Sequence, residues 1–202
     1  MPVRPVLAWP DARLSRPSAD VTEEEFGTEE LFSLAQDLVD TMKVHEAAGL
    51  AAVQIGVHKR VFAIAHLGEA LKDGTKRGVS VVVCNPVVEQ AAGSVHRFDE
   101  QQASQIARGE RGKRLDPRLL VEGCLSFPGV TERLDAPMLV VGRGLSLEGH
   151  ELTMTAKGIE ARAWVHETAH TRGETMLDSM SAARRKAFLK RYMQAKAFRK
   201  AS

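Results

Sequence analysis

His166-Glu167-Thr168-Ala169-His170 places two imidazoles one helical turn apart, with a carboxylate beside the first. At 3.6 residues per turn, His166 and His170 share a helix face, about 5–6 Å apart at Cβ and close enough to hold one metal ion. Glu167 falls on an adjacent face. Two imidazole ligands with a general base beside water activated by the metal equip a metal-dependent amide or peptide hydrolase.

Two histidines leave such a centre incomplete, since catalytic zinc-like sites usually hold three protein ligands and one open position. Cys124, in Glu122-Gly123-Cys124-Leu125-Ser126, is the best candidate for the third, because a glycine-bearing turn beside an apolar strand can present a thiolate to the helix. A free cysteine also serves as a small buried hydrophobe, and spacing alone leaves both readings open. Gly49-Leu50-Ala51-Ala52-Val53-Gln54 is a third feature. Its small residues admit a ligand backbone and it ends in an amide able to donate to an oxyanion, although close packing is a competing use of such a stretch.

These groups need elements to hold them. Leu31, Leu34, Leu38 and Met42 recur at helical spacing and predict an amphipathic helix over residues 28–47. Apolar runs rich in β-branched residues predict strands at 61–65 and 79–84, and similar runs at 138–141 and 152–155 flank a turn at Glu148-Gly149-His150. From Ile159 the chain turns helical and carries the His-Glu pair until Arg172-Gly173 stops it; a last helix starts near Ser181. Residues 10–27 and 91–117 read as irregular, the second as a charged surface loop. The order predicts an α+β fold: mixed or antiparallel sheets packed around a central helix carrying the histidines, with an N-terminal and a C-terminal helix.

The chain has 202 residues, enough for one sizeable core, so residues 1–202 are expected to form a single domain. A net charge of +2 gives no general argument for nucleic acid. Two cysteines are too few for a disulfide scaffold and fit a reducing compartment. No apolar run reaches the roughly 18–20 residues that span a bilayer, and prolines interrupt the start, so no membrane partner and a cytoplasmic location are expected.

Three segments together resemble the peptide deformylase family, whose motifs G-x-G-L-A-A-x-Q, E-G-C-L-S and Q-H-E-x-D-H occur here in order as residues 47–54, 122–126 and 165–170. The likeness extends to Val3-Arg4-Pro5-Val6-Leu7, to Asn85-Pro86 and to Gly158-Ile159-Glu160-Ala161-Arg162. It implies removal of the formyl group from the N-terminal formylmethionine of nascent polypeptides. It implies a divalent metal on Cys124, His166 and His170, with Fe2+ the usual ion and Ni2+, Co2+ or Zn2+ also accepted. Glu167 becomes general base and acid, while Gln54 and the Leu125 N–H become oxyanion donors. Substrate would pair through backbone with Ala48, Gly49 and Gly123, with a methionine-sized pocket near Ile159, Ala163 and His166.

The chain departs from that pattern at Ala47, Val53, Val165 and Ala169, and at Ala136, where relatives commonly carry an arginine. If that arginine and the aspartate replaced by Ala169 form an ion pair, losing both leaves no unpaired buried charge. After Asp178 only basic charges follow, and Phe188, Tyr192 and Ala195 give the helix over about 181–200 a docking stripe. Its cations suit phosphate, and resemblance points to the ribosome as the partner. Two alternatives stand beside the deformylase reading: an H-E-x-x-H metallopeptidase, which usually recruits a carboxylate or histidine as third ligand, and a deformylase-like ribosome or nucleic-acid binding module with little activity.

Overall fold

The computed structural model describes residues 3–67, 78–92 and 121–201. Helix α1, Glu29–Val44, starts at Thr28, whose side chain accepts from the Leu31 N–H, and Glu29 and Glu30 meet the positive end of the helix dipole. Leu31, Leu38 and Met42 of the predicted stripe are buried, with Ala35 and Thr41 beside them, while Leu34 packs half-buried against the same core.

Five strands form an antiparallel sheet ordered β1 (Gly49–Ala51), β2 (Val61–Leu67), β3 (Gly78–Ala92), β6 (Leu139–Leu145) and β7 (Glu151–Lys157). A separate ribbon pairs β4 (Glu122–Gly123) with β5 (Thr131–Glu132). Helix α2, Ile159–Thr171, and helix α3, Ala182–Ala201, complete the elements. The expected α+β arrangement is present, and its main sheet is wholly antiparallel.

Strand alternation sends side chains to two cores. Leu50, Val61, Ala63 and Cys84 pack with α1, whereas Ala51, Phe62, Ile64 and Val83 pack with Trp164, Ala161 and Ala163 of α2. Complete burial of Phe62 or Ile64 contributes about 1.5–3 kcal/mol each. Trp164 stands edge-on to Phe62, ring centroids 5.2 Å apart, and lies where any side chain on Gly142 would project. That contact seats α2 against the sheet.

The structure carries the strands expected at 61–65, 138–141 and 152–155 on to Leu67, Leu145 and Lys157, and lengthens a fourth further still. The strand expected at 79–84 continues to Ala92 through register shifts at Cys84/Val87 and Val88/Gln90, so Asn85-Pro86 lie within it. A bulge accommodates the positive φ of Asn85 (50°) and the missing donor of Pro86, and the Asn85 amide pins it by bonding both Val21 N–H and Val21 carbonyl at 2.8 and 2.9 Å. Of residues 91–117, Ala91 and Ala92 end this strand, and 93–117 lie outside the described residues. Residues 10–27 contain two short 3-10 turns, Ala12–Ser15 and Glu23–Glu25, and contribute Leu14 and Val21 to the interior.

A third core joins α3 to the Cys124 turn: Phe188 and Tyr192, both fully buried, meet Phe127, Leu134 and Met176. The Tyr192 hydroxyl donates to the Trp9 carbonyl at 2.9 Å. Among the described residues no helix is long and apolar enough to cross a membrane.

Candidate active site

Helix α2 projects His166 and His170 from one face, and the turn after β4 brings Cys124 opposite them. Cys124 Sγ lies 3.3 Å from His170 Nε2, which lies 3.2 Å from His166 Nε2, and all three donor atoms fall within 4.8 Å of one another. The cysteine is held because its carbonyl accepts from the Phe127 N–H at 2.9 Å, and Phe127 is locked into the third core. Spacing left Cys124 open between ligand and core residue; the fold makes it both, 8% exposed and aimed at the imidazoles.

Around the trio, hydrogen bonds fix orientation. His166 Nδ1 meets Glu122 Oε1 at 2.5 Å, which turns Nε2 toward the sulfur. The buried Gln54 amide accepts from the Ala51 N–H at 2.8 Å through Oε1, so Nε2 points at Ser126 Oγ (3.2 Å) and Cys124 Sγ (3.5 Å). Thus the departures at Ala47 and Val53 do not remove Gln54 from the site. His170 is held less firmly: its Nδ1 is buried without a hydrogen bond of ordinary geometry, although the Glu174 backbone favours its protonated form.

Glu167 lies under β1. A Cβ on Gly49 would fall 2.7 Å from its Oε1 and 2.8 Å from its Cγ, so the glycine of Gly49-Leu50-Ala51 makes room for the carboxyl group. Burial raises its pKa from 4.5 to about 7, reinforced by Glu122 and opposed by His166 and the Ala51 backbone. Burial also works against charge on Glu122, but its bond to His166 and the charges of His166 and Arg162 hold its carboxyl below its usual range.

The electrostatics suit a cation. Burial disfavours a charged His166, yet Cys124, Glu122 and Glu167 outweigh that and raise its pKa well above 6.5. His170 is shifted far below 6.5, by burial and by the neighbouring His166 charge. A sulfur and two carboxyl groups thus favour positive charge between them, the place a metal dication would take, and the Cys-His-His donor set fits such an ion.

A cavity of about 490 Å³ opens onto this cluster, lined by Cys124, His166, Glu167, Gln54 and Leu125 and by every residue expected to meet substrate: Ala48, Gly49, Gly123, Ile159 and Ala163. His170 lies behind them, 1% exposed. Two strand edges border the cavity, since among the described residues β1 is the last strand of the main sheet and β4 pairs only with β5. These short strands carry too few residues for a period to be visible in sequence.

Two site residues were not singled out from sequence. Glu122 could have been, as a carboxylate two positions before a ligand in extended chain; Arg162, lining the same cavity, precedes His166 by one helical turn. The opposite face of α2 differs. Val165 lines a hollow of about 410 Å³ with Ala136, Asp135 and Arg172.

The polypeptide deformylase family model matches residues 3–186. The peptide deformylase of Desulforudis audaxviator is 32% identical over 178 residues, covering 88% of this chain and 94% of that protein. That of Thermomicrobium roseum is 30% identical over 178 residues, covering 88% and 86%. Among solved structures, a peptide deformylase from Legionella pneumophila superposes with a TM-score of 0.74 at 26% identity, covering 100% of this chain and 99% of the other. One from Ehrlichia chaffeensis gives 0.74 at 26%, covering 98% of each. With a thiolate as third donor where a metallopeptidase would bring a carboxylate or histidine, and with kinship along nearly its whole length, this chain belongs to the peptide deformylase family of metal-binding hydrolases.

Proposed function

We propose that the cavity hydrolyses the formyl amide of N-formylmethionyl peptides with Glu167 as proton carrier. The observation carrying this reading is the convergence of Cys124, His166 and His170 within 4.8 Å beside a buried carboxyl and a buried amide. Cys124, His166 and His170 would hold the metal. A divalent cation there supplies Lewis acidity, bringing the pKa of water toward about 7 and polarising the formyl oxygen. Fe2+ is the ion favoured by kinship, while the thiolate and two imidazoles also accept Ni2+, Co2+ and Zn2+.

Glu167 takes a proton from the attacking water and returns it to the leaving amine nitrogen. Gln54 Nε2, aimed by the Ala51 bond, and the Leu125 N–H donate to the tetrahedral oxyanion, about 2.7–4 kcal/mol per donor. The peptide lies extended between Ala48-Gly49 and Gly123, and the methionine side chain enters beside Ile159 and Ala163. Residues 1–202 are read as one domain acting in the cytoplasm, where nascent chains carry the formyl group.

The test is formate release from formyl-Met-Ala-Ser by anaerobically purified, iron- or nickel-loaded protein. Release well above that of Glu167→Ala supports the reading. Release equal to that variant would overturn it in favour of a binding module.

The ribosome is the proposed partner of α3, supported by the exposed Lys186 and Lys190 and by the buried Phe188 and Tyr192 that dock the other side. Several cations of that helix are otherwise engaged: Arg184 and Arg191 on Glu132, Arg185 on the Leu177 carbonyl, Lys196 on the Trp9 carbonyl. Truncating the helix would strip a core, so the sharper test is Lys186→Glu with Lys190→Glu. Ribosome co-sedimentation should fall with tripeptide turnover intact; unchanged co-sedimentation would contradict the assignment.

A further inference from the structure

Glu122 and Glu132 are register partners in the β4–β5 ribbon, and Gly123 pairs with Thr131. Two carboxylates directly opposite each other on a two-residue ribbon are destabilising. Each is answered separately. Glu122 bonds His166, and Glu132 takes two guanidinium groups from α3, Arg184 at 2.7 Å and Arg191 on its other oxygen. Arg184 also donates to the Arg133 carbonyl and Arg191 to the Thr131 carbonyl at 3.4 Å, so the helix grips the backbone of β5 on both sides of Glu132. The Arg199 guanidinium packs over Gly129 at the cavity rim.

From this geometry we infer that Arg184, Arg191 and Glu132 are positioning residues for the substrate peptide. They hold β5, β5 holds β4, and β4 presents the Gly123 edge to the cavity. This rests on the reading that substrate pairs with Gly123. The metal ligands have their own supports, Cys124 through the Phe127 turn and His166 through helix α2, so loosening the ribbon acts on peptide binding before metal binding. Glu132 is 15% exposed and its partners 47% and 50%, a network that salt weakens only in part.

The experiment compares metal-loaded wild type, Arg184→Ala/Arg191→Ala and the same double variant carrying Glu132→Gln, with formyl-Met-Ala-Ser as substrate. The double variant should raise KM about 5- to 10-fold, with kcat and metal content near wild type. Adding Glu132→Gln removes the repulsion between the carboxylates and should recover most of that loss, which a role in packing alone would not allow. An unchanged KM in the double variant, or a triple variant no better than the double, would overturn the inference. A substrate methylated on the amide nitrogen of its second residue tests the underlying reading separately. Wild type that turns it over as well as formyl-Met-Ala-Ser would sink edge pairing and the inference with it. Discrimination against it, together with an unaffected double variant, would sink the inference alone.

Discussion

The two faces of helix α2 are built differently. Toward the cavity it carries Ile159, Arg162, Ala163, His166 and Glu167, with His170 behind, and each polar group of the metal cluster is oriented by packing or by a hydrogen bond. Away from the cavity, the uncharged Val165 and Ala136 border a hollow of about 410 Å³, and Ala169 follows Val165 by one helical turn. The cavity face therefore finds its supports in Glu122, Ala51 and the Phe127 turn, and draws on no charge at Val165 or Ala169 behind it.

Breaking the cavity face should cost most. Cys124→Ala, His166→Ala or His170→Ala should each abolish stoichiometric metal binding, checked by metal analysis after desalting, and formate release with it. Glu167→Ala should keep the metal but lower kcat by about 10²–10⁴ in steady-state assays, the usual worth of positioned acid-base catalysis. A variant of that kind retaining wild-type kcat would move the proton carrier elsewhere. Glu122→Ala, which frees His166 Nδ1, should weaken metal affinity or activity by about 10–100-fold in a chelator competition.

The opposite face should respond to charge in pairs. Ala169→Asp alone adds a carboxylate to the half-buried outer face of α2 and should cost about 1–3 kcal/mol in urea unfolding; adding Ala136→Arg should recover much of it. Equal stability of the single and double variants would show that the two positions do not face each other. A further effect concerns pH. Because burial raises Glu167 from 4.5 to about 7, the folded metal-free protein favours its proton. Stability from this group is therefore greatest at low pH and declines as pH climbs from about 4.5 through 7, on the order of 3 kcal/mol in all. His166, also raised, acts in the same direction, its contribution present below its unfolded pKa and lost as pH rises through the folded one, whereas His170, lowered by burial, opposes them only below its ordinary 6.5. Metal-free protein should unfold at lower urea at pH 8 than at pH 5.5, and Glu167→Gln should flatten part of the difference.

The sequence exposed the helix face because the histidine spacing is a local matter of 3.6 residues per turn, and α1 and β2 because their apolar periods are long enough to see. It could not expose β1, β4 or β5, which are two or three residues long and defined by partners distant in the chain. Nor could it show that Asn85-Pro86 sit within a bulged strand, since Asn85 is held there by Val21, 64 positions earlier. Cys124 was legible as a donor or as a core residue but not as both at once, because the Phe127–Phe188–Tyr192 cluster that fixes it draws on α3. The division of cationic labour along that helix was equally hidden, as Arg184 and Lys186 differ only in what lies across from them.

The most direct measurement is a side-by-side formate-release assay of the unaltered, metal-loaded chain and Ala136→Arg/Ala169→Asp, at equal metal occupancy, with formyl-Met-Ala-Ser. If the cavity face is a complete catalytic unit, the unaltered chain releases formate at a rate within about 100-fold of the double variant, the range set by outer support of metal ligands. A chain that is silent until the arginine and aspartate are put back would contradict the account.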